Sequence, residues 1–462
     1  MPLYKEENFL VVHPGTQHTL FSFGLQDSLS PPQYKIPSVV YQDPVTKEYK
    51  SKRDENGDNL VEVFPIKASK VVDLDAFNYL LKIILQSVIT NNPIVTINQI
   101  PLLLIVPLTW SRSNIEYITK YVIESLEFTA FNIIDLSLAS TFGVGPATSS
   151  VVVNVGYDSV QVVPVVNYQS IKFAAKYLTG VGGQTLNEEI KKILPQFTDQ
   201  QVEDLKKSGI YEILNDHEST FYSLADLANE KENDDDFDVA KIVVDDEKKA
   251  AVLENGEENG EEQKPNRELE RNFFIDSKSG EKVYVGKERF QGSSKLVSII
   301  ATLIYDSLTM IRDLDKRQEC YDNIILVGST FKIPGLKEAV LVKLSEEYLI
   351  REPGTERGAK DANGINVTLA KYQQAEDSVD PESGSTLAQV PNSIKLARYP
   401  DYFPEWKKPK EKGGSWDDVF FLGGEIYGKQ IFSNNSNHGR ELFIDSDVYE
   451  ERGPQSIWDV SI

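Results

Sequence analysis

The chain has 462 residues, 40% of them hydrophobic and 10% aromatic, which is enough to build a large core and points to two or more domains. Its 71 acidic against 48 basic side chains leave a net charge of −23, a balance that opposes direct contact with nucleic-acid phosphates. A single cysteine, Cys320, excludes an internal disulfide and fits a reducing compartment, no run of 18 apolar residues exists to span a membrane, and the four histidines lack metal-ligand spacing, so no metal site is assigned.

In chain order, the N-terminal MPLYKEENF lacks the basic-then-apolar layout of a secretory signal. Asn8 to Val12, the turn His13-Pro14-Gly15-Thr16-Gln17 and Thr19 to Gly24 then read as a strand–turn–strand unit. Val39 to Phe64, centred on the polar turn Arg53 to Asp58, reads as a small strand-rich excursion. Asp73 or Asp75 caps a helix with apolar residues Phe77, Leu80, Leu81, Ile84, Leu85 and Val88 at helical spacing. Pro101 to Pro107 (PLLLIVP) predicts a central strand, and Ser113 with Glu116 predicts a capping box opening a helix to Leu126. A strand and a helix follow between Phe131 and Phe142.

Ser150 to Val166 (SSVVVNVGYDSVQVVPVV, counted from Ser149) is the strongest hairpin signal, two β-branched runs around Asn154-Val155-Gly156-Tyr157-Asp158. Two such units in one chain suggest two related halves facing one cleft, where turn amides could cradle a phosphate beside a carboxylate holding Mg²⁺ through water. Gly180 to Gly183 precedes a helix over Leu186 to Leu194. From Asp216 to Asn272 periodicity collapses, and Asp226 to Glu270 alone holds 17 acidic and 6 basic side chains, so this reads as an acidic, disordered insertion. Order resumes at Phe273, with VYVGKERF (Val283 to Phe290), a long helix from Ser294 to Leu314, a buried strand in NIILVGST (Asn323 to Thr330) and a helix from Pro334-Gly335 to Tyr348. Arg351 to Asn392 reads as a second, low-complexity insertion, and the last 70 or so residues return to order around Phe420-Phe421-Leu422-Gly423-Gly424.

The order of these pieces, with four local matches, resembles actin and the actin-related proteins. FFLGGEIYGKQIF and DVYEERGPQSI look like that family's glycine-pair strand–helix and its Tyr-Glu-Glu-x-Gly-Pro ending. VGKERFQG (Val285 to Gly292) resembles its Gly-x-Glu-Arg-Phe segment, and NIILVGSTFKIPGL (Asn323 to Leu336) its adenosine-facing strand and glycine turn. Ile36-Pro37-Ser38 and Phe64-Pro65-Ile66 match where the small outer lobe leaves and returns. The resemblance implies an α/β, actin-like fold: two large lobes with mixed five-stranded sheets and two smaller outer lobes. Its expected parts are a first large lobe from 1–37, 70–149 and 393–462, with a small outer lobe at 38–69. A second large lobe comes from 150–181 and 283–350, with an outer lobe at 182–282 that includes the insertion 216–272; a further insertion spans 351–392.

Within the family, ARYPDYFPEWKK (Ala397 to Lys408) and IKKILPQ with QVEDLKKS (Ile190 to Ser208) look like the divergent nuclear members of fungal SWI/SNF- and RSC-type remodelling complexes. That likeness implies a nuclear, non-catalytic scaffold that pairs with a second actin-related protein and other remodeller subunits. It also implies binding of a long helix N-terminal to the motor of a remodelling ATPase, with no direct nucleic-acid or membrane contact. The lysines Lys407 to Lys412 could serve nuclear import. Alternative readings are a filament-end-capping subunit of a cytoplasmic dynactin-type complex, and an ATP-binding switch on the same fold.

The family's first phosphate turn reads Asp-x-Gly-Ser/Thr and its second Asp-x-Gly-Asp-Gly; here His13, Gly15 and Thr16 stand in the first, and Asn154, Gly156 and Tyr157 in the second. No lysine lies between Gly15 and Lys35, and the adenosine turn has Gly328 followed by Ser329 instead of a second glycine. Asn cannot accept a proton or supply charge to Mg²⁺, and Tyr157 and Ser329 add side chains where backbone must approach a ligand closely. Asp135 aligns loosely with the family's water-positioning glutamine. With Gly182 counted as a turn residue, the cleft reads as a degenerate ATPase site: no catalytic residue is assigned and no cofactor, ATP included, is expected. For the partner helix, the groove candidates implied by resemblance are Thr141, Phe142, Tyr168, Tyr427, Ile431 and Phe432, opposite the outer lobe.

Overall fold

Both strand–turn–strand units form. The computed structural model describes residues 4–25, 29–52, 60–92, 99–214, 265–349, 391–407, 415–433 and 442–461. In the first unit β1 (Leu10–Pro14) pairs antiparallel with β2 (His18–Phe23), from Leu10 opposite Phe23 to Pro14 opposite Thr19. The first strand therefore begins two residues later than its composition suggests, because Glu6–Asn8 turn once as a 3-10 helix before it.

The chain continues through β3 (Tyr34–Pro37) into a three-stranded excursion of β4 (Val40–Gln42), β5 (Tyr49–Lys50) and β6 (Val61–Val63). The polar turn expected at its centre lies outside the described residues. A two-stranded hairpin, β7 (Ile66–Lys67) and β8 (Lys70–Val71), leads to α1 (Leu74–Asn91), whose cap is Asp73, its carboxylate accepting from the Ala76 amide at 2.9 Å. The wholly buried β9 (Pro101–Val106) follows as expected from its unbroken apolar run.

Next, α2 (Arg112–Glu124) is capped by Ser111, accepting from Asn114, and not by Ser113. The Glu116 carboxylate expected in the box instead accepts the Trp458 indole N–H at 2.9 Å, a tertiary contact that outcompetes the local cap. β10 (Ala130–Asp135) and α3 (Leu136–Val144) complete this half. Its sheet runs β10-β9-β1-β2-β3, with β9 parallel to both β1 and β10.

The second half repeats the plan. β11 (Ser150–Val155) and β12 (Ser159–Val166) form the second hairpin, β12 pairs with β13 (Gln169–Ser170) and β14 (Lys176–Thr179), and the late strand Ile324–Val327 lies parallel to β11. In sequence α4 (Gly183–Ile193) and α5 (Asp199–Lys207) precede β15 (Asn272–Ile275) and β16 (Lys282–Val285), with β17 at Ile324–Val327. α5 carries its own Thr198/Gln201 capping box, a signal absent from the elements expected. Most of the acidic insertion and of the 351–392 stretch lies outside the described residues, but 265–272 is built in: Arg289, wholly buried, donates to the Asn266 side chain (3.0 Å) and to the carbonyls of Asn266 and Leu269, both at 2.6 Å. The expected long helix from Ser294 ends at Leu308, and a separate one, Leu314–Tyr321, follows after an Asp313 cap. Helix Leu336–Tyr348 closes the half.

Each sheet thus has a hairpin whose first strand is flanked by a parallel strand, and a layer of apolar residues lies between the two sheets. Val11, Leu103 and Ile105 from one sheet, with Val152, Val165 and Val327 from the other, meet α3 and the helix Val419–Ser433 in that layer. The Gly423-Gly424 pair is helical throughout, not a strand–helix junction. A Cβ at Gly143 would overlap the Val419 carbonyl, so the two helices approach through glycine, and one at Gly424 would overlap the Ile105 side chain of β9, so the last long helix also meets the sheet through glycine.

Candidate functional site

The two hairpin turns are built from ends of strands and are held by the chain itself. His13, near the end of β1, is half-buried; its Nδ1 donates to the Ile105 carbonyl at 2.9 Å and its ring lies 4.5 Å from that of Phe420. Burial pushes its pKa down to about 4, so it is a neutral imidazole near pH 7. Gly15 donates to the His18 carbonyl at 3.1 Å, and a Cβ on it would stand 2.6 Å from that oxygen. Thr16 Oγ1 accepts from the Ser69 amide at 3.3 Å.

In the second turn Asn154 sits opposite Gln161 on β12 and beside Val327 on β17. Gly328 packs onto it so tightly that a Cβ would lie 2.6 Å from Asn154 Oδ1 and 2.5 Å from the Val155 carbonyl. The Gly156 carbonyl accepts from the Gly183 amide at 3.0 Å and from Thr330 Oγ1 at 2.8 Å, and the Tyr157 carbonyl from the Gln184 amide at 2.7 Å. The N-terminal amides of α4, which could face an anion, are therefore spent on the carbonyls of this turn. Gly182 makes the approach possible, since a Cβ there would be 2.5 Å from the Gly156 carbonyl. The Tyr157 ring is 5.6 Å from the Lys206 ammonium, which also bonds Asn187 (2.7 Å) and Glu203 (2.8 Å). Ser329 is exposed, so its side chain meets no packing constraint.

Sequence reasoning missed what joins the turns. The β7–β8 turn has two non-glycine residues in the left-handed region, Ala68 (φ 47°) and Ser69 (φ 55°). From there the Ala68 amide donates to Asp158 Oδ2 at 2.7 Å, and Ser69 Oγ lies 2.8 Å from Ser159 Oγ. Since Ser69 also reaches Thr16, one turn ties both hairpins together. A second tie runs from the adenosine-type turn to the segment before the last long helix: the Gly328 amide donates to the Asp417 carbonyl (3.0 Å), Lys332 pairs with Asp418 (2.7 Å) and Lys337 with Asp417 (3.0 Å). Burial raises the Asp418 carboxyl above its ordinary range, opposed by Lys332. No local pattern announces such pairs; Asp417-Asp418 ahead of an apolar run was the available hint.

Asp135 is buried at the end of β10, where the Ser137 and Ser170 hydroxyls donate to it while burial raises its pKa. It shares a void of about 10 Å³ with Asn154 and Gln161, the size of one water molecule. His18 is pulled down to about 4 by burial and then by Lys35, Lys207 and Lys332, cations that come from both halves.

The groove candidates divide. Phe142 stands between Tyr168 (ring centroids 5.9 Å) and Tyr427 (6.2 Å), forming one aromatic row. Tyr168 is 42% exposed and Phe142 half-buried, whereas Thr141, Tyr427, Ile431 and Phe432 are buried in the isolated chain. Thr141 bonds Ser150, the Tyr427 hydroxyl accepts from Asn132, and Phe432 packs edge-on to Phe9. The surface these six offer a partner is therefore Tyr168 and the edge of Phe142.

A model of the actin family matches residues 4–354, well over half of the chain. The chain is also similar to the "SWI/SNF and RSC complexes subunit arp9" of Schizosaccharomyces pombe, 22% identical over 544 aligned positions that take in 99% of each protein.

Proposed function

Since the chain belongs to the actin family, we propose that it is a non-catalytic, nuclear actin-related subunit of an ATP-dependent chromatin-remodelling complex. In this reading it pairs with a second actin-related protein and holds the helix N-terminal to the remodeller motor, working as a scaffold without ATP. The observation that carries the proposal is the end-to-end similarity to a SWI/SNF and RSC subunit.

The cleft geometry supports the non-catalytic part. A half-buried, neutral His13 and the amide of Asn154 stand where the family's phosphate turns carry carboxylates, so neither brings the negative charge that holds Mg²⁺ through water, and Asn154 cannot accept a proton. The ties through Ala68, Ser69, Lys332 and Asp418 join the halves without calling on a bridging nucleotide. The aromatic row of Phe142 and Tyr168 supports the helix-binding part, as an apolar strip of the kind that receives an amphipathic helix.

The test is affinity purification of the tagged chain from its native cells, followed by mass spectrometry. Recovery of a remodelling ATPase and a second actin-related protein is expected. Recovery of dynactin-type subunits, or of a lone chain carrying stoichiometric ATP, overturns the reading.

A further inference from the structure

A groove of about 500 Å³ lies away from the hairpin turns, between the segment after β12 and the segment joining helix Ser294–Leu308 to helix Leu314–Tyr321. Its walls are apolar: Ile171 and Phe173 on one side, Met310 and Ile311 on the other. Phe173 is 70% exposed and Met310 45%, with Leu314 (42%) close by in sequence, a concentration of large apolar side chains that a lone soluble chain rarely leaves in water.

These walls are fixed. The Ile171 amide donates to the Pro164 carbonyl (2.8 Å), Ala174 and Ala175 amides both return to the Ile171 carbonyl, and Ser307 Oγ donates to the Ala174 carbonyl (2.9 Å). Opposite, the buried Arg317 guanidinium donates to the carbonyls of Thr309 (3.0 Å) and Ile311 (2.8 Å through Nε), pinning the backbone that carries Met310. The neighbouring β12–β13 turn is held in the left-handed region at Asn167 (φ 50°) and Tyr168 (φ 59°), a conformation that non-glycine residues adopt at a cost and that presents Tyr168 outward. An apolar recess whose shape is set before a ligand arrives loses little entropy on binding.

The rim sets the charge of the occupant. Lys172 and Arg312 are exposed and have no ion-pair partner among the described residues. Lys316 is paired with Glu319, and the one carboxylate among the lining residues, Asp313, accepts from the Lys316 amide (3.1 Å) and keeps its charge, which Lys172 and Arg312 outweigh. In a chain of net charge −23 this edge is locally cationic. We propose that the groove is a docking site for an amphipathic helical segment of a partner protein, apolar where it enters between Phe173 and Met310 and acidic on its flanks. The inference rests on the groove alone and holds whichever assembly the chain joins.

Fluorescence anisotropy on the full chain would test it with two labelled synthetic helices sharing one leucine face, one flanked by glutamate and the other by lysine. The glutamate-flanked helix is expected to bind at least about tenfold more tightly, with the preference weakening as salt rises. Phe173→Asp should abolish binding and the double change Lys172→Glu, Arg312→Glu should reverse the preference, with thermal melts unchanged because these side chains are exposed. Tyr284→Asp, on a distant exposed hairpin, should leave binding intact. Failure of both helices to bind, equal affinities, or binding that survives Phe173→Asp overturns the proposal. So does sedimentation showing a self-associated chain that Phe173→Asp makes monomeric, which would give the groove to a second copy.

Discussion

Gly423 lies against Ala139 so closely that a β-carbon on it would overlap the Ala139 carbonyl oxygen. The contact fixes the crossing of α3 and the helix Val419–Ser433, and through it the spacing of the layer between the sheets. Gly423→Ala should therefore cost about 2–3 kcal/mol, the range for overpacking a tight core. Gly428→Ala, five residues along the same helix, would place its Cβ an ordinary 3.4 Å from Leu103. It should be neutral or gain up to about 1 kcal/mol from helix propensity. Thermal melts of the two variants separate packing from propensity.

Asp158 holds the Ala68 amide from the opposite half. Asp158→Ala removes a charged acceptor and should cost about 2 kcal/mol. Hydrogen exchange should locate the loss, with the Ala68 amide losing protection before the strands of either sheet do. Protection that is unchanged at that amide would dismiss the tie.

His13 makes stability depend on acidity. Its folded pKa, about 4, lies below the unfolded value near 6.5, so the unfolded chain takes up the proton first. Its contribution is intact above pH 6.5 and declines as pH falls toward 4, by about 3 kcal/mol in total. His13→Gln should flatten that part of the pH–stability curve. If the wild-type curve is already flat there, the imidazole is not desolvated as described.

Glu425 is buried in the helix Val419–Ser433 beside the Ser30 amide, with its Oε2 unpartnered among the described residues, and burial raises its pKa well above the ordinary value. Here the folded state holds the proton more tightly. Stability is thus greatest below the unfolded pKa and falls as pH rises through the range up to the folded one. Glu425→Gln should raise Tm near neutral pH and change little in acid. A lower Tm at pH 7 would mean that a paired carboxylate is needed there.

Tyr168 and Phe432 should respond oppositely to the same change. Tyr168→Asp places charge on an exposed ring and should weaken partner association with little change in Tm. Phe432→Asp buries a carboxylate beside Phe9 and Tyr4 and should unfold the chain. Co-purification and melting of both variants distinguish a contact surface from a core.

What the sequence disclosed followed the range of the forces involved. Hairpins, the buried strand at Pro101 and a cap at Asp73 or Asp75 are written by neighbours a few residues apart, and they were legible, the structure choosing Asp73. Ser111 displaced Ser113 as a cap because Glu116 is engaged by Trp458, 342 residues away in the chain. The Ala68–Ser69 turn carried no glycine to advertise its left-handed backbone, and the Lys332–Asp418 pair joins positions far apart in sequence. The groove candidates split for a different reason. Helix Val419–Ser433 is apolar around nearly its whole circumference, so periodicity could not say which of Tyr427, Ile431 and Phe432 faces water. The fold was therefore readable from motifs, whereas exposure at the site was not.

Of the two helices that share the layer between the sheets, the second, Val419–Ser433, is made about 275 residues after α3. During synthesis both sheets must wait with their facing apolar surfaces open until that helix leaves the ribosome, the circumstance in which nascent chains aggregate. A chain cut short before Val419 would keep both hairpins and α3 and yet lack the second helix of the layer between them. Loss of that helix should therefore leave apolar faces of both sheets in water even though every strand of the sheets has been made.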